Sequence, residues 1–199
     1  MSECGCQLEA KNAAQRKALF FLLIINGAMF ALEIATGILA QSTALVADAL
    51  DMLADAAVYG ISLYAIGRPV VYKNRAATFS GIVQITLACG VLLDAIQKFT
   101  SRSEPEPTFI VGIGLVALVA NVACLWLLSK HRKGEVHMRA SWIFSKNDVL
   151  ANVGVIVAGL LVALTQSQWP DLIAGFAIAL LVLSGGVQIL QEARRPKMR

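Results

Sequence analysis

Residues 42–55 read STALVADALDMLAD, and this stretch decides the fold. After its first two residues it is apolar except for Asp48, Asp51 and Asp55. Spacings of three and four residues place these carboxylates along one face of an α-helix, and Tyr59 continues that face. A helix that is apolar over most of its circumference and acidic along one stripe is typical of a membrane span whose polar stripe points into a helix bundle.

The whole chain has the composition of a membrane protein. Hydrophobic residues make up 57% of its 199 residues and charged residues 15%, whereas a soluble domain carries about 25% charged residues. The chain therefore cannot cover a soluble globule with polar groups, which excludes most soluble enzymes, disordered chains and disulfide scaffolds. The formal net charge is +4, but the basic residues sit between apolar runs, so they predict membrane orientation and no nucleic-acid partner.

Six apolar segments are long enough to cross a bilayer as helices, which takes about 20 residues. The first two are separated by only a few residues, so we expect them to form an antiparallel hairpin. The sequence therefore predicts an all-α membrane protein built as a bundle of six transmembrane helices. The predicted spans cover residues 18–40, 44–67, 78–97, 108–129, 141–165 and 170–190.

The distribution of Lys and Arg predicts how the bundle is oriented. Fourteen of the 17 basic residues fall on one side of the predicted spans, Lys98 and Arg102 fall on the other, and Lys146 lies within span five. Since basic loops stay in the cytoplasm, both termini are expected to be cytoplasmic, in a multi-pass protein of the cell inner or plasma membrane. The predicted organisation is a cytoplasmic Cys-containing tail at 1–17, the transmembrane domain at 18–190 and a short basic cytoplasmic tail at 191–199.

The acidic stripe of span two predicts a cation site. Three neighbouring carboxylates repel one another, so some of them must be protonated or share a cation. Span five supplies a partner in Asp148, with Ser145 and Asn152 on the same helical face and Asn147 about 100° around the helix. We therefore expect a cation site formed by Asp48, Asp51 and Asp55 together with Asp148, with Ser145, Asn147 and Asn152 near it. The alternative is a packing or ion-pair role.

Two further groups of polar residues are candidate accessory sites. Asn26 and Glu33 lie seven residues apart in span one and therefore share a stripe. Glu33 could bind a cation, relay protons or accept hydrogen bonds from a neighbouring helix, and the sequence leaves these three roles open. Cys4 and Cys6 in the N-terminal tail could capture a soft metal such as zinc, cadmium or copper(I), or could be part of a tail without such a role.

These residues resemble a known family, the cation diffusion facilitator transporters. The resemblance rests on Asn26 and Glu33, on residues 42–55, on the span-five stretch NDVLANVGVIVAG at 147–159, and on WPDLIAGFAIALLVLSGG at 169–186. It covers nearly the whole chain and implies six spans with cytoplasmic termini. It is most specific in span two.

The resemblance implies where the transport site lies. The family builds it from a His-or-Asp-x-x-x-Asp pair on helix two and a second such pair on helix five. Asp51 and Asp55 match the first pair and Asp148 matches the second aspartate, but Phe144 stands where the family has His or Asp. The fourth ligand is therefore open, and the candidates are Asn147, Ser145, Asn152 and water. More specifically, the chain resembles a short subgroup, described as cobalt-zinc-cadmium transporters, that carries an Asn-Asp pair at this point.

The function implied by the resemblance is efflux of a divalent metal in exchange for protons, by a secondary active transporter and not an enzyme. The resemblance favours Zn²⁺, Co²⁺ or Cd²⁺ as cargo, whereas oxygen donors alone suit Mn²⁺ or Fe²⁺. No cofactor beyond the transported ion is expected. Because Phe144 departs from the family pattern, the alternative is a non-transporting membrane metal sensor or accessory subunit.

The expected partners are divalent metal ions, protons, the lipid bilayer and a second copy of the chain. The family usually continues into a cytoplasmic domain that supports dimerisation, whereas this chain ends shortly after span six. A homodimer is therefore expected to form through the transmembrane helices. Gly175 and Ala179 in span six allow close helix approach and are candidates for that interface.

Overall fold

Six α-helices make up the protein in a computed structural model that describes the backbone of residues 3–65, 70–101, 103–129 and 136–194. No strand occurs within these ranges. The predicted all-α, six-helix architecture is confirmed. The helices are α1 (Glu3–Leu39), α2 (Thr43–Ala65), α3 (Val70–Ser101), α4 (Pro107–Ser129), α5 (Val136–Thr165) and α6 (Trp169–Arg194).

Several helices extend beyond the predicted apolar spans. Helix α1 begins at Glu3, so most of the predicted N-terminal tail is a helical extension of the first span. Helix α3 begins at Val70 and α5 at Val136, each before its predicted start. The apolar pattern marks where a helix meets lipid, whereas backbone hydrogen bonding continues into the polar residues beyond it. The connections between α2 and α3 and between α4 and α5, at residues 66–69 and 130–135, lie outside the described residues.

Five of the described helices contain apolar segments long enough to cross a membrane. The remaining helix, α2, is also 23 residues long but carries Asp48, Asp51 and Asp55. Its length matches its neighbours, and its carboxylates face other helices, as described below. The five segments are Arg16–Leu39, Gly81–Thr100, Pro107–Ser129, Ser145–Thr165 and Trp169–Gln191.

Helix α2 lies at the centre of the bundle, in contact with all five other helices. The main helix pairs are α1 with α2, α3 with α6 and α4 with α5. Small residues allow the close packing: a Cβ atom added at Gly175 of α6 would lie 2.7 Å from the backbone carbonyl carbon of Thr43. The expectation that Gly175 and Ala179 serve a subunit interface is therefore wrong, because Gly175 packs against α2 and Ala179 is buried within the chain.

A tight turn joins α1 to α2 and fixes the predicted hairpin. Gln41 has a φ of 52°, in the left-handed region. The N–H of Ser42 donates to the carbonyl of Gly37 at 2.9 Å and the N–H of Gln41 donates to that of Ile38 at 3.2 Å. This pattern is a Schellman motif, in which a left-handed residue ends one helix and redirects the chain.

The bundle has two ends, which we name by the chain segments they hold. The hairpin end contains the α1–α2, α3–α4 and α5–α6 turns, and the terminal end contains the N-terminal part of α1 and the C-terminal part of α6. An apolar cluster near the hairpin end, the hairpin-end cluster, joins α2 to α4, α5 and α6. Its larger buried members are Leu45, Leu50, Val91, Ile110, Val155, Ile178 and Val182.

Candidate metal centre

Helices α2 and α5 bring three aspartates together inside the bundle. The carboxyl group of Asp148 in α5 lies within hydrogen-bonding reach of both Asp51 and Asp55 in α2. The two α2 residues are one helical turn apart, so both point toward α5. The structure thus joins two acidic positions that are nearly a hundred residues apart in the sequence.

The three carboxylates differ in burial. Asp148 is 9% exposed, and Asp51 and Asp55 are half-buried. On the same face of α5, Ser145 and Asn152 are fully buried. The centre therefore lies within the bundle but keeps a partly accessible side.

Hydrogen bonds fix the side chains of Asp55 and Asn152. The hydroxyl of Tyr59, one turn along α2, donates to Asp55 Oδ2 at 3.2 Å. In α5, Asn152 Nδ2 donates to the backbone carbonyl of Asp148 at 2.9 Å. This bond turns the amide so that Asn152 Oδ1 is left without a hydrogen-bond partner among the described residues.

Several buried oxygens at the centre have no hydrogen-bond partner in the described part of the chain. They are Asp148 Oδ2, Asn152 Oδ1 and Ser145 Oγ. A buried oxygen without a donor is destabilising, and a bound cation would satisfy such a set. Oxygen-rich sites of this kind suit divalent cations.

Ligation at this centre requires some rearrangement around the ion. Among the described side chains, no three His, Cys, Asp or Glu groups are placed to hold one metal ion together. The carboxylates would have to close around a cation, or amide, hydroxyl and water oxygens would have to complete its shell. Buried Asn152 and Ser145 are placed to contribute, because both lie on the Asp148 face of α5.

Other predicted site residues lie elsewhere or outside the described side chains. Asn147 is exposed, so it lies outside the buried set, as its position around the helix from Asp148 dictates. The side chains of Phe144, Cys4 and Cys6 are outside the described part of the structure.

The predicted stripe on α1 is buried, with Asn26 in contact with α4 and Glu33 near α2. Asn26 donates from Nδ2 to the carbonyl of Leu22 at 2.9 Å and contacts Cys124 Sγ at 3.7 Å. Glu33 is completely buried, and the carboxylates that interact with it electrostatically are Asp48 and then Asp51. Span one therefore adds a further acidic group to those that α2 and α5 place in the interior.

Sequence reasoning missed a polar junction at the hairpin end. Asp171, near the start of α6, accepts hydrogen bonds from the Ser42 hydroxyl and from the backbone N–H groups of Thr43 and Ala44. The Lys98 ammonium of α3 lies 3.3 Å from the Thr43 hydroxyl. The visible signal was an aspartate directly after a proline at a helix start, but its role as a cap for another helix depends on tertiary contact.

Carboxylates from two central helices meet in the interior of a helical membrane bundle. This arrangement is typical of multi-pass membrane proteins that bind or transport ions. Residues 19–195 match the cation efflux transmembrane domain. The chain belongs to the cation efflux family, and it is a multi-pass protein of the plasma membrane. The family membership expected from the sequence resemblance is thereby confirmed.

Curated relatives come from several bacteria. The chain is 25% identical to the cadmium, cobalt and zinc/H(+)-K(+) antiporter of Bacillus subtilis, over 92% of this chain and 63% of that protein. It is 31% identical to the zinc transporter ZitB of Pectobacterium atrosepticum, over 92% of this chain and 61% of the relative. It is 26% identical to the metal cation efflux system protein CzcD of Cupriavidus metallidurans, over 84% and 57% respectively. The chain thus spans less than two thirds of the length of these relatives.

Proposed function

We propose that this protein exports divalent metal ions from the cytoplasm in exchange for protons. The observation that carries the proposal is the meeting of Asp148 with Asp51 and Asp55 across the interface between α2 and α5. A site shared by two helices can open and close when those helices move against each other. Such a site is suited to alternating access.

The direction of transport follows from the proposed orientation. The basic loops place the terminal end of the bundle in the cytoplasm and the hairpin end outside. In this orientation the hairpin-end cluster packs apolar side chains, among them Leu45 and Ile110, near the outer face. Metal enters from the cytoplasmic side between α2 and α5 and leaves when the helices part at the hairpin end.

Charge explains why protons are the counter-ion. Three carboxylates carry one more negative charge than a divalent metal neutralises, so a proton on one of them balances the loaded site. Metal binding requires deprotonated ligands, and protons therefore compete with the metal for the same oxygens. Each carboxylate of the centre acts as a metal ligand in one state and as a proton acceptor in the other.

The names of the relatives support Zn²⁺, Cd²⁺ and Co²⁺ as cargo. The oxygen donors that the structure places at the centre also accept Mn²⁺ and Fe²⁺. We propose the first set as the physiological cargo. We further propose a homodimer that forms through the lipid-facing surfaces of the transmembrane helices.

The test is ion flux into proteoliposomes under an imposed pH gradient. Wild-type protein is compared with Asp51→Asn and Asp148→Asn, each of which removes a charge without changing side-chain volume. Glu106→Gln is the matched control, since this glutamate is exposed in the turn before α4. Flux of Zn²⁺, Cd²⁺ or Co²⁺ that needs the gradient and both aspartates, but not Glu106, is the expected result.

Two results would contradict the proposal. Undiminished flux in both aspartate variants would remove the centre from the transport path. Tight metal binding by folded wild-type protein with no flux of any ion would indicate a non-transporting metal-binding protein.

A further inference from the structure

Two carboxylates outside the three-aspartate centre are buried without hydrogen-bond partners. Glu33 is 0% exposed and Asp48 is 1% exposed. Both carboxylate oxygens of Glu33 and Oδ2 of Asp48 have no hydrogen-bond partner among the described residues. The two groups come from helices α1 and α2, which pack against each other as a hairpin; Gly37, one turn after Glu33, packs against Val46, two residues before Asp48. Helix α1 thus directs an unpartnered carboxylate at the acidic stripe of α2.

The pair occupies its own level in the bundle. At a rise of about 1.5 Å per residue, Asp48 lies about 10 Å from Asp55 along α2, toward the hairpin end. On the side facing the terminal end, Met29 and Met52 pack together, each one helical turn from a member of the pair. The hairpin-end cluster extends from the opposite side past the pair, since it includes Leu50 and packs against Phe30 and Leu53. The pair is therefore enclosed by apolar side chains.

No described basic group neutralises this pair. Lys98 forms an ion pair with Asp94 at 2.9 Å, and Lys146 is exposed. An ionised carboxylate that is buried without a partner is strongly destabilised. Two such groups close together must therefore be protonated or share a cation.

We propose that Glu33 and Asp48 form a second binding position for a divalent cation, on the path between the Asp51–Asp55–Asp148 centre and the outer face. The existence of a translocation path rests on the proposed function. The site itself is defined by the two opposed carboxylates. Two carboxylates match the charge of one divalent ion, and oxygen ligands suit its chemistry. Asp51 lies one helical turn from Asp48 and acts on Glu33 as well, so it links the two positions.

This arrangement divides the translocation path into two short steps. The ion leaves the three-aspartate centre for a position of lower charge, which lowers the barrier to its release. It is then held beneath the hairpin-end cluster until the helices separate there. The second position also prevents a dehydrated ion from crossing the apolar interior in a single step.

The experiment counts Zn²⁺ ions bound per chain by equilibrium dialysis of the purified full chain in lipid nanodiscs. All proteins carry Cys4→Ser and Cys6→Ser, because these thiols could bind zinc independently. Glu33→Gln and Asp48→Asn each remove one carboxylate of the pair, Asp148→Asn alters the three-aspartate centre, and Glu106→Gln is the exposed control.

We expect Glu33→Gln and Asp48→Asn each to bind one Zn²⁺ fewer than the parent protein. Asp148→Asn also loses one ion, its combination with Glu33→Gln loses two, and Glu106→Gln loses none. The ion that each single variant retains shows that the variant is folded, because a misfolded protein would lose both.

The proposal is overturned if Glu33→Gln and Asp48→Asn bind as many ions as the parent. It is equally overturned if these variants bind as many ions as the parent but release fewer protons than the parent on zinc binding. The pair would then hold a proton and not a zinc ion. A failure of the proposed function looks different: Asp51→Asn and Asp148→Asn would leave flux unchanged, whatever the ion count of Glu33→Gln.

Discussion

The carboxylate of Asp171, in the first turn of α6, accepts a hydrogen bond of 2.7 Å from the backbone N–H of Thr43, in the first turn of α2. The same carboxylate accepts from the Ser42 hydroxyl and from the N–H of Ala44, at 3.3 Å in the latter case. The first N–H groups of a helix have no intrahelical partner and are usually capped by a local side chain. Here the local residue Ser42 accepts from the N–H of Leu45 at 3.1 Å. Asp171 of another helix caps the N–H groups of Thr43 and Ala44, so it also attaches α2 to α6.

Replacement of this cap should destabilise the bundle. Asp171→Ala leaves the buried N–H groups of Thr43 and Ala44 without a partner, which we expect to lower the free energy of unfolding by about 1–3 kcal/mol. Thermal unfolding in detergent, followed by size-exclusion chromatography, measures the change. Asp171→Asn retains one acceptor oxygen and should fall between wild type and alanine. A melting temperature for Asp171→Ala equal to that of an exposed control, Glu104→Ala, would rule out the capping role.

The contact between α6 and the start of α2 leaves no room for a side chain at Gly175. In Gly175→Ala the new Cβ would lie 2.7 Å from the Thr43 carbonyl carbon and 2.8 Å from the Ala44 nitrogen. Because both neighbours are backbone atoms, the helices must move apart, and we expect a loss of about 1–3 kcal/mol in stability. Gly112→Ala is the matched control, since nothing lies within 4 Å of its added Cβ. Equal melting temperatures for the two variants would contradict this packing.

The hydrogen bond between Tyr59 and Asp55 should contribute to metal affinity by fixing the carboxylate. Loss of one hydrogen bond to a charged group is worth about 1.5 kcal/mol, or about tenfold in an equilibrium constant. We therefore expect Tyr59→Phe to raise the Kd for Zn²⁺ by up to about tenfold. Zinc titration of Tyr59→Phe, Asp55→Asn and the double variant provides a double-mutant cycle. If Tyr59→Phe has the same effect with and without Asp55, the tyrosine acts through some other contact.

Zinc binding should weaken as the pH falls. The ligands of the centre bind metal only when deprotonated, so acid favours the empty, protonated site. Asp55→Asn removes one proton-binding ligand and should give a shallower dependence of log Kd on pH than wild type. Zinc titrations from neutral to mildly acidic pH measure both slopes. A pH-independent Kd in wild-type protein would exclude proton competition at these carboxylates.

The sequence was sufficient to predict the number and class of the helices, because apolar length is the dominant signal in a membrane protein. The helix ends were less predictable: α1 and α3 continue through polar residues that do not enter the apolar pattern. Periodicity placed Asp51 and Asp55 on one face of α2, the polar residues of span five indicated Asp148 as their partner, and the family resemblance assigned the three as ligands. These positions stay predictions as metal ligands.

The remaining features depend on helix packing, which a single sequence does not encode locally. In sequence, Gly175 could allow close helix approach either between subunits or within the chain, and only the α2–α6 contact distinguishes the two. Asp171 reads as an ordinary acidic residue of a helix start, although it caps a helix that begins 128 residues earlier in the chain. Glu33 had three possible roles in sequence, and its position opposite Asp48 is visible only once α1 and α2 are packed together.

The hairpin-end cluster has a consequence for electrical behaviour. Its buried Leu45, Ile110, Val155 and Ile178 pack together between the helices. Moving a bare ion into such a low-dielectric region costs tens of kcal/mol in the idealised limit. Under the proposed function, this packing opposes passive ion flow between the described helices, so a transmembrane voltage should drive little leak current through the protein.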